Sequence, residues 1–378
     1  MINKTTNSEV IYIDGFQGVI DSLLQNCRDK RVFVTNKKLD KLLNLSALEG
    51  RKIIIAADGE SCKSFSNAAL IIKKFLSLNA LKSDVITVIG GGALCDLGAF
   101  CASIYKRGSE LTLVPTTLLA MIDAAHGGKT AVNENGFKNC AGSFYPASEI
   151  IICTDFLYTL PAKQIESGLF EALKYGILFS KKLFIDIIAN QSGLIKYDAD
   201  NRELFIDIIK KCIGYKNKIT AADPFDKNER LALNFGHTFG HAFESAAGPK
   251  LSHGHAVGLG MFIELVFSRI KYGETKENLK TTGLLLKFIR NCAAYKNLDS
   301  MIKDKDIFEK LYMYIIHDKK AGSGTGTGTR TRTRTAAGAI KMPVIWKSGL
   351  YSLEEISAAE DLKRFFKKRG DIIDAWTA

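Results

Sequence analysis

DVITVIGGGALCDLGAF, Asp84 to Phe100, is the stretch on which the fold turns. Val85, Ile86, Val88 and Ile89 are β-branched residues suited to a buried strand, and a helical pattern begins at Ala93. Between them stand Gly90, Gly91 and Gly92. Bare backbone amides at a strand end, opening a helix, favour a pyrophosphate. The triplet is not the G-x-G-x-x-G fingerprint, so it reads either as a dinucleotide cradle or as a tight turn. Asp96 either faces solvent in the first turn of that helix or reaches a bound ligand. Thr116 and Thr117, just past a strand ending at Pro115, could donate hydroxyls to the same ligand.

Outward from this unit the texture repeats. RVFVTN (Arg31 to Asn36), KIIIAAD (Lys52 to Asp58), LTLVPTT (Leu111 to Thr117) and EIIICTD (Glu149 to Asp155) read as further strands, and Ser64 to Ala80 carries apolar residues at helical spacing. Residues 1–160 are therefore expected as an α/β, Rossmann-like domain with a mostly parallel sheet. Beyond Pro161 helical periodicity takes over, in Ile165 to Leu178, Lys182 to Asn190, Leu204 to Ala221, Leu231 to Ala246, Ala256 to Tyr272 and Thr281 to Cys292. Residues 161–378 are expected as an all-α domain. Within it, residues 321–337 form a Gly/Thr/Arg tract without apolar anchors, read as a low-complexity surface loop.

The 378-residue length allows two domains and a core that needs no disulfide staples. An excess of 52 basic over 40 acidic residues favours anionic partners. Nucleic acid is not expected among them, since no recognisable module appears and the charge is spread along the chain. No apolar run approaches the roughly 18–20 residues that span a bilayer, and the opening Met1 to Val10 is too polar for a signal peptide. The eight cysteines are scattered without a CxxC pair, as expected for reduced thiols in the cytoplasm.

Four of the six histidines, His237, His241, His253 and His255, fall within NFGHTFGHAFESAAGPKLSHGHAVGLGM, Asn234 to Met261. His237 and His241 are one helical turn apart and share a face, a spacing that suits one divalent ion. A lone histidine more often lies buried and hydrogen-bonded, but four among glycines favour a metal site. A third ligand must come from elsewhere. In GLFEALKYG, Glu171 and Lys174 share a helical face, and Glu171 among apolar neighbours hints at a purposeful carboxylate. Two imidazoles and that carboxylate would make a catalytic zinc site with one position open. Asp123, Lys129, Lys138 and Asn139 lie in the glycine-rich stretch Ile122 to Pro146, read as a loop suited to cradling phosphate.

Taken in order, DGESCKS, GGGALCDLGAF, YKRG, PTTLLAMID, GGKTAVN, FKN, GLFEALKYG, LNFGHTFGHAFE, HG followed by AVGLGM, and DKK resemble the 3-dehydroquinate synthases of the sugar phosphate cyclase superfamily. The match runs from about Arg31 to Pro343. The resemblance implies zinc or cobalt held by Glu171, His237 and His253, with His241 unligated beside the substrate. It implies NAD over Gly90 to Gly92, with Glu60, Lys63, Asp96, Thr116, Thr117, Asp123 and Lys138 among its contacts. Lys129, Asn139, His241 and Lys319 or Lys320 would hold a phosphate, Lys216 and Arg230 a carboxylate, and Asn234 and Lys174 hydroxyls. Arg107 matches a position that reaches a neighbouring subunit's site, which implies a homodimer. The activity implied is conversion of 3-deoxy-D-arabino-heptulosonate 7-phosphate to 3-dehydroquinate and phosphate, in the shikimate pathway.

Departures from the family pattern leave alternatives open. His255 stands where the family usually has Glu, as in relatives that cyclise sedoheptulose 7-phosphate. Ala124 and Ala125 replace common hydroxyl residues, and Asn36 and Lys38 replace the usual Asp and Asn. A sibling cyclase of the sedoheptulose 7-phosphate type or a metal-dependent polyol dehydrogenase is the alternative. Lys216 and Arg230, the expected carboxylate clamp, speak for the heptulosonate.

Overall fold

The structure, a computed structural model, describes residues 8–25, 31–47, 52–135, 137–247, 251–317, 339–347 and 349–378. The chain runs β1 (Glu9–Tyr12), α1 (Gly15–Gln25), β2 (Arg31–Asn36), α2 (Lys37–Leu43), β3 (Lys52–Ala56), α3 (Phe65–Ser77), β4 (Val85–Gly90), α4 (Gly92–Ile104), β5 (Leu111–Pro115), β6 (Lys129–Glu134), β7 (Phe137–Phe144) and β8 (Glu149–Ile152). It continues through α5 (Ala162–Phe179), α6 (Lys181–Ala189), α7 (Gln191–Leu194), α8 (Arg202–Ala222), α9 (His237–Ala247), α10 (His253–Tyr272), α11 (Lys276–Arg290), α12 (Tyr295–Lys303) and α13 (Lys305–His317). The hairpin β9 (Ala339–Lys347) and β10 (Leu350–Ser357) and the short helices α14 (Lys363–Lys367) and α15 (Arg369–Thr377) complete it. Two compact units result: Met1–Pro161 with Tyr197–Phe225, and Ala162–Lys196 with Asp226–Ala378. The long helix α8 thus belongs with the sheet.

The first unit is built on a six-stranded sheet in the order β1-β8-β5-β4-β2-β3, with every pairing parallel. All six residues of β2 and all five of β5 are buried, which is why these strands read as continuous apolar runs. From β2 the chain steps outward to β3 and then back across to β4, so the strand order reverses between β2 and β4. Ligands of open parallel sheets bind at the carboxyl ends of the strands beside such a reversal. Gly90 to Gly92 stand at that end of β4. Helix α4 lies close on its own strand: a Cβ at Gly98 would come within 2.5 Å of Val88 Cγ2. Asn36 caps α2, its side-chain oxygen accepting from the Leu39 N–H at 2.9 Å.

The glycine-rich stretch after Ile122 is not a loop. Lys129–Glu134 and Phe137–Phe144 pair as an antiparallel hairpin, β6 with β7. Its partly exposed strands carry mixed glycine and polar residues, which hid the alternation. Ser64 also bridges to Asn133 of this hairpin.

Helices dominate the second unit as expected, with the β9/β10 hairpin as an addition. Helix α10 is buried along nearly its whole length. It can lie that deep because its glycines meet other backbones. A Cβ at Gly254 would lie 2.0 Å from the Ser167 carbonyl oxygen on α5, and one at Gly260 would lie 1.9 Å from the Gly236 carbonyl oxygen at the foot of α9. Among the described residues no helix is long and apolar enough to cross a membrane.

Candidate functional site

Three helices of the second unit bring Glu171, His237 and His253 together. Helix α5 presents Glu171 and Lys174 one turn apart, with side chains only 1% and 2% exposed, and Lys174 Nζ lies 2.6 Å from Glu171 Oε2. The other oxygen, Oε1, lies 3.5 Å from His237 Nε2 at the start of α9 and 3.4 Å from His253 Nε2 at the start of α10. Ligand atoms about 2.0–2.1 Å from a tetrahedral ion are separated from each other by about 3.3 Å. The observed spacings are therefore those of donors set around one small divalent cation, and one carboxylate with two imidazoles is a donor set that zinc accepts.

Electrostatics point the same way. Burial, reinforced by Lys174, pushes His237 down to about 3, so its imidazole is neutral, the form that ligates metal. Desolvation also works against a charge on His253, yet hydrogen bonds to Glu171 and Glu244 prevail and push it up to about 10. The His253 ring thus carries a proton between two carboxylates, and a cation bound there would have to displace it. Glu244 Oε1 stands 3.5 Å from His253 Nδ1, behind the ring. Such a carboxylate fixes tautomer and orientation of a ligating imidazole. Sequence reasoning passed over Glu244, although positions 237, 241 and 244 recur on one face of α9.

His241 stands beside the trio, its ring 5.3 Å from that of His237 and 5.9 Å from that of His253. With Glu244 and His253 it forms a second possible donor group. Arg230, 2% exposed, and Asn234 lie in the 3₁₀ turn Glu229–Asn234 that leads into α9. Lys319, Lys320 and the tract 321–337 lie outside the described residues.

The other expected residues belong to the first unit. Gly90 ends β4, Gly91 is the N-cap of α4 without a side-chain cap, and Gly92 opens the helix. The N-terminal amides of α4 are thus left for a ligand. Thr116 joins the turn by donating its N–H to the Gly90 carbonyl at 2.9 Å, and Thr117 Oγ1 accepts from Ala120 N–H at 3.2 Å. Buried Lys63 reaches Asp96 Oδ2 at 2.5 Å and also donates to Asn139 Oδ1. Burial raises Asp96 while Lys63 opposes the rise; the carboxylate in turn favours the charge on Lys63. Asn133, a residue the sequence reading missed, ties Glu60 to this group: its amide donates to Glu60 Oε1 at 2.8 Å, and its carbonyl accepts from Asn139 N–H at 2.8 Å.

Lys216 of α8 donates to Asp123, at 2.5 Å to the main-chain oxygen and 2.8 Å to Oδ1. Lys129 opens β6, and Lys138 lies on β7 beside Asn139. Arg107 sits apart from these, in a turn where Lys106 and Arg107 both hold left-handed φ values, 46° and 63°. Such backbone strain recurs at functional positions.

A family model described as 3-dehydroquinate synthase N-terminal matches residues 53–167, and its C-terminal counterpart matches residues 168–321. A 3-dehydroquinate synthase of Pseudoalteromonas atlantica is 35% identical over 299 residues, covering 77% of this chain and 81% of the relative. One of Pyrococcus furiosus is 39% identical over 266 residues, covering 68% and 76%. Among solved structures, 2-deoxy-scyllo-inosose synthase complexed with carbaglucose-6-phosphate, NAD+ and Co2+ superposes with a TM-score of 0.77 at 20% identity, over 95% of this chain and 96% of that one. The 2-epi-5-epi-valiolone synthase ValA of Streptomyces hygroscopicus, with NAD+ and Zn2+ bound, also gives 0.77 at 20% identity, over 98% and 99%. At that identity these structures share the fold.

Proposed function

The chain belongs to the 3-dehydroquinate synthase family, and on that premise we propose that it converts 3-deoxy-D-arabino-heptulosonate 7-phosphate to 3-dehydroquinate and phosphate. The observation that carries the reading from sequence to chemistry is the approach of His237 and His253 to within 3.5 and 3.4 Å of one oxygen of Glu171. Bound NAD supplies a hydride acceptor that is regenerated within each turnover, and a bound zinc or cobalt ion supplies Lewis acidity toward a secondary hydroxyl.

The protein's own groups bind and orient. In the second unit, Glu171, His237 and His253 hold the ion, Glu244 steadies His253, and Lys174 holds the second oxygen of Glu171 so that only one faces the imidazoles. Arg230 binds a carboxylate, Lys174 and Asn234 bind hydroxyls, and His241 and Lys320 bind phosphate. In the first unit, the amides of Gly91 and Gly92 bind the pyrophosphate of NAD, and Lys63, Asp96, Asp123, Thr116, Thr117, Glu60 and Lys138 contact the cofactor. Lys129 and Asn139 bind phosphate, and Lys216 binds a carboxylate. Arg107, from a second copy of the chain, completes the site in a homodimer. The protein works in the cytoplasm, in the shikimate pathway.

The alternative substrate suggested by His255 loses its motive. The His255 ring points to Glu166, with Nε2 3.0 Å from Oε2, and not into the group of Glu171, His237 and His253. The reading is tested by following phosphate release from the heptulosonate phosphate, with sedoheptulose 7-phosphate alongside. Expected is release that requires substoichiometric NAD, stops with a chelator and returns with zinc, without accumulating NADH. Net NADH, or turnover of the sedoheptulose phosphate alone, refutes it.

A further inference from the structure

Beneath the candidate metal centre lies a second buried group that the proposed reaction does not use. Glu166 of α5 and His255 of α10 have side chains with no exposed surface, and His255 Nε2 lies 3.0 Å from Glu166 Oε2. The remaining atoms are also engaged. Glu166 Oε1 accepts the Ala293 N–H at 2.8 Å, and His255 Nδ1 lies 2.5 Å from Ser252 Oγ. Beside the pair, the Gly254 N–H donates to Ser167 Oγ at 3.1 Å, where α5 and α10 make their close backbone contact. Cys292 lies close enough to suggest a second metal site with this pair. That reading fails, because the facing carboxylate oxygen and imidazole nitrogen bond each other and burial drives the thiol pKa up.

We propose that the Glu166–His255 pair is a positioning strap that fixes the rotation and register of α10 against α5, and thereby sets the spacing of Glu171 and His253 on which metal affinity depends. The inference rests on the reading of Glu171, His237 and His253 as metal ligands. The strap is five residues from Glu171 along α5 and two from His253 along α10. A buried, hydrogen-bonded carboxylate–imidazole pair contributes little net stability over a well-packed apolar pair, and fixing register is the best attested role for such a buried polar group. The leverage is large. An imidazole nitrogen about 6 Å from a helix axis moves about 1 Å when the helix turns by about 10°, against a tolerance of about 0.2 Å in metal–ligand distance. Ser252 precedes His253 and bonds the strap, so the entry to α10 is fixed by the same group.

The test is the double variant Glu166→Leu/His255→Leu in the full chain, with zinc affinity measured by chelator competition, cobalt coordination by its visible spectrum, and melting temperature alongside. Single variants strand one of the two fully buried partners and can fail to fold; the double removes both and frees only the part-buried Ala293 N–H and Ser252 Oγ. Expected is a melting temperature at or above that of the parent with zinc affinity weakened about tenfold, the lower end of what losing a metal site's outer support costs. The cobalt spectrum is expected to shift. Unchanged zinc affinity and cobalt spectrum in the folded double variant overturn the strap while leaving the metal centre standing. A parent chain that binds no zinc overturns both.

Discussion

Gly260→Ala is expected to spoil metal binding without touching a ligand. The Cβ it adds would lie 1.9 Å from the Gly236 carbonyl oxygen and 2.7 Å from the Gly240 nitrogen, both main-chain atoms that cannot swing aside. Ordinary contact begins near 3.4 Å, so α9 and α10 must part by roughly 1.5 Å at this point. Gly236 immediately precedes His237, and α10 begins with His253, so the displacement falls between two of the three proposed donors. If only a quarter of it reaches the imidazoles, the change is about 0.4 Å, twice the tolerance of a metal site. Overpacking of this kind costs about 1–3 kcal/mol, or about 4–8 °C in melting temperature for a unit of this size at 2 kcal/mol. Zinc affinity by chelator competition is expected to fall at least tenfold. Gly283→Ala, in the same unit with nothing within 4 Å of its added Cβ, serves as the control and is expected to leave affinity unchanged. If Gly260→Ala binds zinc and melts like that control, the close approach of α9 and α10 does not set the donor geometry.

Three further outcomes follow from the same geometry. Lys63→Met leaves Asp96 and Asn139 without their shared cation and is expected to weaken NAD binding at least tenfold by fluorescence titration, with metal content unchanged. Burial, with Lys216 nearby, pushes His126 down to about 4, so the folded protein keeps it neutral while the unfolded chain takes up a proton below about 6.5. Its contribution is present above that value and is lost as pH falls toward 4, by about 3 kcal/mol in all; urea unfolding at pH 7 and pH 5 should show a smaller loss in His126→Phe. Burial pushes Glu264 up to about 8, with the Gly236 and Thr238 backbone only partly opposing it. The unfolded chain then releases a proton that the folded one keeps, so stability falls as pH rises from about 4.3 to 8, and Glu264→Gln should flatten that decline in unfolding titrations.

The central strands were legible because parallel strands buried on both faces are continuous apolar runs; β2, β4 and β5 stand where RVFVTN, DVITVIGG and LTLVPTT placed them. Strand β1, EVIY, was hidden in a polar opening and owes its strandedness to pairing with β8, a tertiary fact. The β6/β7 hairpin did carry a signal, since Asn135-Gly136 is a turn dipeptide, but the glycines and lysines around it masked the alternation. The helical half was readable from periodicity, yet α8 packs in the unit of the sheet, which periodicity cannot tell. Of the proposed metal group, the histidine cluster announced itself by spacing and Glu171 by its apolar neighbours, whereas the choice of His237 and His253 as its two partners came only through the resemblance. The Glu166–His255 bond joins two helices through residues with no local pattern, so only coordinates reveal it.

The claim on which everything else depends is that Glu171, His237 and His253 hold one ion, and metal content after dialysis of the full chain and its single variants tests it most directly. About one zinc or cobalt per chain is predicted for the parent and for His241→Ala, with metal lost from Glu171→Ala, His237→Ala and His253→Ala. Metal retained by Glu171→Ala but lost from His241→Ala would place the ion in the group of His241, Glu244 and His253 instead, and would contradict the account.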